Sequence, residues 1–494
     1  MKRTTVIALT LAMLLMLAAP SYAEPRTVLN IGITETYTTT DPYHISRTVD
    51  NNLMFNLYET LYRIDVFLNE EPLLATSYEA SEDGLTYTYH LKQDVQFQTG
   101  GELKASDVVY SFTYAAQSLY TMQYTEALDY VEAADDYTVV FHLKNISPTF
   151  HQYISQIPIV SESAHQGLPE MYTNEISGGT GPYMLTEWDP EVRVVIERFD
   201  GYHGDTPQIQ KVVATTIADD MALQMAFEAG EIDYNGISAA DRARIESDPR
   251  YQTKFLDAPS VVFVIFNTER EPLNNPLVRQ ALSYATNKED ALYAALDGAG
   301  NVMHTICVPS MTWGVPTADE MFTYDFNIEK AKELLAEAGY PNGITFDEPL
   351  LFLPGDTYSI AAQVMQDNWA EAGIHVQLRA ADEATYVQDL MSGNYLMGNI
   401  SVTLLGDASN YARLLTTGAD LNLARYSNAR VDELFAAGNA TLDEDVRKAA
   451  YQEAFDLISK DAPYLPVFNQ SFEYGATLDL EFDPVLNIKD WYFK

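Results

Sequence analysis

The sequence contains almost no cysteine. Cys307 is the only one in 494 residues, so the chain cannot form an internal disulfide, and Cys307 has no cysteine partner for a metal site. Stability must therefore come from packing. A lone cysteine is more often a small buried apolar side chain than a nucleophile, so we expect Cys307 to be buried and unreactive.

Basic residues are also scarce. Lys and Arg number 29 against 71 Asp and Glu, which gives a formal net charge of −42 at pH 7. A field of that sign repels nucleic acid and anionic membrane surfaces, because both carry dense negative charge. The charge balance excludes a nucleic-acid partner, although it says nothing about the fold.

Local signatures of catalysis and of metal binding are missing. None of the eight histidines lies two or four residues from another, which is a spacing typical of metal ligands. No Gly-x-Ser-x-Gly segment is present, so serine hydrolysis lacks local support. We therefore assign no catalytic residue, no metal site and no cofactor. A secreted hydrolase that uses two of the 71 carboxylates, such as a glycosidase, stays open as an alternative.

Long apolar runs are absent except at the N-terminus. Lys2 and Arg3 precede a largely apolar run from Val6 to Ala19, and Pro20 and the small-residue segment Ser21-Tyr22-Ala23 follow it. This order is typical of an export signal, and the run is shorter than the roughly 20 apolar residues that span a bilayer. We expect residues 1–23 to be a signal peptide cleaved after Ala23. No cysteine lies near the cut to carry a lipid anchor, which predicts a soluble periplasmic protein.

A glycine cluster stands in the segment "GGTGPYMLTEWDP", residues 178–190. A loop that binds phosphate needs a helix N-terminus directly after it, whose free N–H groups face the anion. Here two strand candidates follow, Tyr183–Trp188 and Val192–Phe199, joined by a turn at Asp189-Pro190-Glu191. The nucleotide interpretation therefore fails. We expect these glycines to allow positive φ angles and a close crossing of two chain segments.

The rest of the chain alternates between strand and helix patterns. Strands are predicted from Thr27, on both sides of Gly84, and from Asp136 to Leu143. Asn287 and Asn327 are predicted helix N-caps, and a capping box is predicted to begin a helix at Thr441. Further helices are predicted to start at Ser106 or Asp107 and to cover 274–285 and 360–372. Such alternation is typical of α/β lobes.

Five segments, in this order along the chain, resemble the family 5 (peptide-binding) extracellular solute-binding proteins of ABC importers. They are "SEDGLTYTYHLKQDVQFQTGGELKASDVVYSF" (81–112), "GTGPYMLTEWDPEVRVVIERFDGYHG" (179–204), "VRQALSYATNKEDAL" (278–292), "KAKELLAEAGYPNG" (330–343) and "DAPYLPVF" (461–468).

The resemblance implies an α/β, two-lobed, periplasmic-binding-protein-like fold of type II, cluster C, with an extra inserted subdomain. Lobe I is expected to be discontinuous, over residues 24–46, 176–258 and 471–494. The inserted subdomain is expected over 47–175 and lobe II over 259–470. Two strands would cross between the lobes as a hinge.

The resemblance also implies the function. Such proteins capture di- or oligopeptides between closing lobes and deliver them to a membrane permease, with no covalent chemistry. We expect a monomer with a peptide ligand and the subunits of an ABC transporter as partners. Binding of a nickel chelate, haem, a sugar or an opine in the same fold remains an alternative.

The expected ligand-binding residues lie in two loops. In this family an aspartate in a segment resembling "GW-x-x-D-Y-x-x-P" meets the ligand's ammonium group. Asp407, in "GNISVTLLGDASNYARLL" (398–415), falls on that position, although the tryptophan and the proline are missing. Leu405 and Arg413 belong to the same segment. Glu35, Thr36 and Tyr37, after the first strand, are expected to contact the ligand backbone from lobe I.

Overall fold

One large mixed sheet runs through most of the protein. The computed structural model describes residues 26–169, 178–402, 406–484 and 487–494. The predicted signal peptide lies outside these residues. The strands of the central sheet, in spatial order, are Leu378–Ala380, Leu350–Phe352, Met397–Val402, Tyr251–Phe266, Tyr464–Thr477, Tyr234–Gly236, Val28–Ile33, Lys211–Thr216, Arg193–Arg198 and Tyr183–Asp189, and Gly300–Val302 also pairs with Tyr464–Thr477.

Two long antiparallel strands, Tyr251–Phe266 and Tyr464–Thr477, join the two halves of this sheet. Their pairing shifts register between Asp257 and Val261. We call them the hinge strands. The predicted lobe boundaries, 258/259 and 470/471, fall within them beside this shift. Because both strands continue through the shift, the halves are linked by two paired antiparallel strands rather than by a loose linker.

The second half of the first hinge strand is apolar on both faces. Val262, Val264 and Phe266 pack into one buried cluster, whereas the alternate residues Val261, Phe263 and Ile265 pack into another. Successive side chains of a strand point to opposite faces, so a run without polar interruptions requires cover on both sides. Helices cover both sides of the sheet here, and the second lobe therefore has two cores.

A smaller antiparallel sheet lies within the predicted inserted subdomain. Its strands, in spatial order, are Ala75–Ala80, Thr86–Leu91, Thr138–Leu143 and Leu128–Asp135. Along Thr86–Leu91 every second residue is buried, as expected for a strand with one face on a core. Phe112, from the helix Ala105–Ala115, packs on this face with Phe141 and Phe150. The strands predicted on both sides of Gly84 are confirmed.

The remaining elements complete the lobes. Three two-stranded ladders pair Tyr62–Ile64 with Glu70–Pro72, Ile344–Thr345 with Ile374–His375, and Leu480–Glu481 with Tyr492–Phe493. The helices are Thr48–Leu57, Ala105–Ala115, Phe150–Ile154, Glu162–His165, Asp220–Ala229, Ala239–Glu246, Pro276–Tyr284, Lys288–Leu296, Ile328–Glu337, Asp356–Glu371, Glu383–Ser392, Ala412–Leu415, Ala429–Asn439 and Glu444–Asp461. In the described ranges, no helix combines the length and the apolarity needed to cross a bilayer.

The helix starts test the predicted caps. Asn287 and Asn327 accept hydrogen bonds from the backbone N–H groups of Asp290 and Lys330, so both caps are confirmed. The cap predicted at Thr441 is wrong. Asp443 takes that role, since its Oδ1 accepts from two free backbone N–H groups of the first turn, while the Thr441 hydroxyl accepts from Asp443 N. A carboxylate also suits the positive end of the helix dipole better than a hydroxyl.

The glycine cluster marks a close chain crossing, as predicted. A Cβ atom on Gly179 would overlap the carbonyl oxygen of Leu57, and one on Gly181 would lie 2.6 Å from that of Asn56. Gln98 fixes the crossing, because its amide nitrogen lies 3.0 Å from the Leu57 oxygen and 3.1 Å from the Gly181 oxygen. The hairpin of Tyr183–Asp189 and Arg193–Arg198 follows directly. These glycines are framework, and the chain continues from them into a strand rather than a helix.

The substitution Gly179→Ala tests this crossing. We expect a loss of about 1–3 kcal/mol in the free energy of unfolding, because the added methyl group forces two backbone segments apart. Gly236→Ala is the matched control, since its Cβ would meet no atom within 4 Å. That variant should stay within about 0.5 kcal/mol of the parent in urea unfolding. Equal losses in the two variants would contradict the close crossing.

Candidate functional site

The segment around Asp407 is largely buried: Asp407, Ala408 and Tyr411 are each at most 2% exposed. It follows the strand Met397–Val402, and Leu405 lies outside the described residues. Asp407 starts a short 3-10 turn, Ala408–Tyr411, and its Oδ1 accepts from Ser409 N at 2.9 Å. Trp313 anchors the backbone: Trp313 N donates to Gly406 O, and Ala408 N donates to Trp313 O. The segment from Gly406 to Tyr411, the 407 loop, is therefore held in place on both sides of Asp407.

Asp407 already has a cationic partner. Nη2 of Arg447 lies 2.8 Å from its Oδ1 and 2.9 Å from its Oδ2, and both side chains are almost fully buried. Arg447 projects from the helix Glu444–Asp461, and its Nε donates to Gly438 O at 3.3 Å. Its guanidinium also lies over the ring of Trp313, 4.4 Å from the centroid. A buried charge needs such compensation, so the pair is one electrostatic unit.

Sequence reasoning singled out Asp407 but missed its partner, Arg447. The two residues are forty positions apart, and no local motif joins them. From the sequence alone, an arginine near the start of an amphipathic helix, such as Arg447, is expected to be solvated. Arg447 is instead 5% exposed.

Arg413 has a different environment. Its guanidinium pairs with Asp420, with Nε 3.1 Å from Oδ1, and both side chains are more than half exposed. The pair lies on the surface, and the hydrogen bond from Arg413 lowers the pKa of the Asp420 carboxyl. The carboxylate that pairs with Arg413 is therefore that of Asp420, seven residues further along the chain.

The loop Glu35–Tyr37 is fixed from the helix that follows it. Arg47 donates from Nη2 to Glu35 Oε2 at 2.8 Å and from Nη1 to Thr36 O at 3.0 Å. Tyr37 is buried, and its ring lies 6.2 Å from that of Trp188. Burial, with a smaller contribution from the Asp50 carboxylate, raises the pKa of the Tyr37 hydroxyl, which keeps it neutral.

A pocket of ≈ 230 Å³ opens beside this loop. Its wall combines the start of the helix Thr48–Leu57 with the turn at Tyr120–Tyr124. The lining residues are Pro42, Ile45, Ser46, Arg47, Thr48, Asn51, Met54, Phe55, Tyr58, Thr60, Tyr120, Thr121, Tyr124, Gln156 and Pro158. Of these residues only Arg47 carries a charge at neutral pH. The wall is thus aromatic and hydrogen-bonding, with one cation at its edge.

The predicted inserted subdomain touches the 407 loop close to this pocket. The Tyr153 hydroxyl donates to Asn410 Oδ1 at 2.7 Å, and the Tyr153 ring lies 5.7 Å from that of Tyr124 in the pocket wall. Leu68 also meets this loop, since a Cβ on Gly406 would overlap its side chain. Tyr153 therefore links the pocket wall, at Tyr124, to the 407 loop, at Asn410.

The predicted site residues fall into two groups. Asp407 and Arg413 lie on the second lobe, whereas Glu35, Thr36 and Tyr37 lie on the first. Among the described residues no hydrogen bond, ion pair or ring contact joins one group to the other. Any molecule that contacts both groups must bridge the space between them.

Other titratable groups of the second lobe are structural. Cys307 is fully buried, and burial raises the pKa of its thiol, so the thiolate does not form at neutral pH. Lys288 lines a cavity of only ≈ 30 Å³ and donates from Nζ to Met303 O at 2.9 Å. Burial lowers the pKa of Lys288 to about 8. That cavity has room for about one or two water molecules, not for a peptide. Three or more metal-ligating side chains do not cluster anywhere in the described ranges.

Comparison with known proteins gives a consistent result. The family model described as bacterial extracellular solute-binding proteins, family 5 Middle, matches residues 69–421. Heme-binding protein A of Haemophilus influenzae is 28% identical over 80% of this chain and 78% of its own length. Glutathione-binding protein GsiB of Pectobacterium atrosepticum is 27% identical over 91% of this chain and 90% of its own.

A solved structure also matches. The ABC transporter substrate binding protein CtaP of Listeria monocytogenes superposes with a TM-score of 0.86 at 24% identity, covering 95% of this chain and all of the other. The predicted α/β, two-lobed fold is thereby confirmed.

The ion pair at Asp407 can be tested by its effect on stability. We expect Arg447→Met to lower the free energy of unfolding by about 3–5 kcal/mol, because it leaves a buried carboxylate without a counter-ion. The double variant Asp407→Asn/Arg447→Met should lose clearly less than the single one. As a control, Arg193→Met removes a cation from an exposed pair with Glu187 and should cost about 0–1 kcal/mol. If Arg447→Met were as stable as this control variant, the pair of Asp407 and Arg447 would not be buried in solution.

Proposed function

We propose that this chain, which belongs to family 5 of the bacterial extracellular solute-binding proteins, captures di- or oligopeptides between two closing lobes and delivers them to an ABC importer's permease. The observation that carries this proposal is the region where the pocket, the inserted subdomain and the 407 loop meet. The residues that line the described pocket all lie between 42 and 158, so a ligand couples binding to closure if it extends from the pocket to the 407 loop of the second lobe.

The chemistry of this region suits a peptide. A peptide presents alternating N–H and C=O groups, and the pocket wall offers hydroxyl and amide partners from Thr48, Asn51 and Gln156. Tyrosine rings beside them provide flat apolar contact area with little loss of side-chain entropy. A relative named for glutathione, a tripeptide, agrees with this ligand class.

Lobe closure is the mechanism of the proposed function. The hinge strands bend at the register shift, and a ligand that contacts both lobes favours the closed state by its additional contacts there. No bond of the ligand is made or broken. In this proposal the protein works outside the cytoplasm, as a monomer that returns its ligand intact.

The six residues predicted from the sequence remain the proposed ligand contacts: Asp407, Leu405 and Arg413 from the second lobe, and Glu35, Thr36 and Tyr37 from the first. For Asp407 the contact has two forms. Its carboxylate meets the ligand directly, beside Arg447, or it orients Arg447 toward the ligand. Arg413 contributes only if its exposed pair with Asp420 opens.

A second candidate is a non-peptide ligand in the same fold. The relative named heme-binding protein A favours this candidate, and so does the aromatic character of the pocket wall. Haem needs an apolar slot and an axial ligand. Among the residues that line the described pocket, neither histidine nor cysteine is present, although Met54 is.

The ligand class can be measured directly. Native mass spectrometry of protein purified from its own host, followed by fragmentation of the released ligand, should show one or more peptides. Incubation of the protein with a peptide mixture should return every peptide uncleaved. A released haem would support the second candidate, and shortened peptides would instead indicate a hydrolase.

Closure can be tested through the contact between Tyr153 and Asn410. Tyr153→Phe removes one hydrogen bond between the subdomain and the 407 loop, so it should weaken binding of the host-derived ligand roughly 3- to 10-fold. Tyr293→Phe is the control, because Tyr293 is 68% exposed on a helix of the second lobe. Calorimetry with the released ligand measures the affinity of each variant. Unchanged affinity in Tyr153→Phe would show that this contact is not made in the bound state.

A further inference from the structure

We propose that the small cavity beside Lys288 in the second lobe is a binding site for a monovalent anion of the halide class, such as chloride. The anion accepts hydrogen bonds from the Lys288 ammonium and the His304 imidazole, which both line the cavity. This site is separate from the pocket lined by residues between 42 and 158, and the proposal does not depend on the peptide-binding function.

Lys288 is a buried cation with little compensation from the protein. It is 7% exposed, and its Nζ donates to the carbonyl oxygen of Met303 at 2.9 Å. An ammonium group carries three N–H donors, so this neutral acceptor uses only one of them. Buried charges in proteins are normally paired, because their removal from water is costly. Lys288 therefore offers both hydrogen-bond donors and a positive charge to a further partner.

The carboxylate nearest in effect does not pair with Lys288. Among the described residues Asp325 acts on it electrostatically, but Asp325 is exposed and no ion pair joins the two side chains. Burial outweighs this attraction and lowers the pKa of Lys288 to about 8. Because that value still lies above neutral pH, the side chain is mostly protonated there. A cation is thus present in the cavity wall without a direct counter-ion from the described residues.

His304 adds a second unpaired group to the same cavity wall. Its Nδ1 is buried and has no hydrogen-bond partner among the described residues. Burial, together with the charge of Lys288, lowers the pKa of His304 to about 4, so the ring is neutral at pH 7 and can carry its single proton on Nδ1. A buried polar atom without a protein partner indicates a bound water molecule or ion. Two such groups in one small cavity indicate a shared partner.

Most hydroxyl groups of the lining are already used as donors. Five of them donate to backbone carbonyl oxygens: those of Ser283, Thr305, Tyr324, Ser459 and Tyr464. The donors left to a bound species therefore come mainly from Lys288 and His304. A partner for two N–H groups, one of them charged, must be an acceptor and is best an anion.

The size of the cavity limits which anion fits. Its volume of ≈ 30 Å³ holds one or two water molecules, which is also the space of one halide ion. Sulfate, phosphate and the carboxylate end of a peptide are too large. The rest of the wall is largely apolar, with Ile306, Phe455, Ile458 and Leu465. A weakly hydrated halide suits such a wall, and unlike water it also compensates the charge of Lys288.

A bound anion at this position joins several elements of the second lobe. The cavity is walled by the helices Pro276–Tyr284, Lys288–Leu296 and Glu444–Asp461 and by the hinge strand Tyr464–Thr477. An ion that binds the folded but not the unfolded chain raises the free energy of unfolding by mass action. The site therefore stabilises the packing of these helices against the hinge strand.

Crystallography of the parent protein in sodium bromide tests the site directly, with data collected at the bromine absorption edge. We expect an anomalous peak inside the cavity, in contact with Lys288 Nζ. Bromide peaks confined to the protein surface, with water or side chains filling the cavity, would overturn the proposal.

Urea unfolding measures the consequence for stability, with chloride exchanged for the much larger gluconate at constant ionic strength. Each tenfold increase in chloride above its Kd should raise the free energy of unfolding by about 1.4 kcal/mol in the parent. The control Lys330→Met, which removes a lysine from an exposed pair with Glu333, should show the same dependence. Lys288→Met should lose it.

The proposal is contradicted if the parent shows no dependence on chloride, or if Lys288→Met keeps the parent's dependence. If Lys288→Met does not fold, Lys288→Gln replaces it, and the same loss is expected because the positive charge is removed.

Discussion

The pairing of the two hinge strands is the constraint on which the rest of the structure depends. Tyr251–Phe266 and Tyr464–Thr477 run side by side through both halves of the central sheet. On one side Tyr464–Thr477 pairs with Tyr234–Gly236, and on the other Tyr251–Phe266 pairs with Met397–Val402, the strand that leads to the 407 loop. The position of Asp407 relative to the first lobe is therefore set by these strands. In the proposed closure, a small bend at their register shift would move the second lobe relative to the first.

Because lysine and arginine are scarce, the structural roles of individual arginines are easy to identify. In a chain of net charge −42, Arg447 compensates Asp407, and Arg242 pairs with Glu473 on a hinge strand. Arg279 is buried against the carbonyl oxygens of Leu273 and Asp461, and burial lowers its pKa. Each guanidinium thus ties together segments that are distant in sequence. Because the chain has few cations, the arginines that contact buried groups identify places where segments distant in sequence are held together.

Much of the fold follows from local patterns, whereas the site does not. The caps at Asn287 and Asn327, the strands on both sides of Gly84 and the glycine crossing depend on a few adjacent residues, so the sequence predicts them. The cap at Asp443 was missed because two acceptors, Thr441 and Asp443, compete within three positions. Arg447 was missed for a different reason: a buried ion pair between a loop and a distant helix depends on tertiary packing, which leaves no periodic trace. The resemblance pointed to the 407 loop, but it could not identify Arg447 as the buried partner of Asp407.

The central claim, that a ligand closes two lobes about the hinge strands, is tested most directly by a distance between the lobes. Cys307 is buried, so spin labels introduced at Glu82→Cys in the inserted subdomain and Glu371→Cys in the second lobe would report with little background. Double electron–electron resonance should show a broad distribution in protein freed of ligand by unfolding and refolding. Addition of the released ligand should give a shorter and narrower one. An identical distribution with and without ligand would contradict the account.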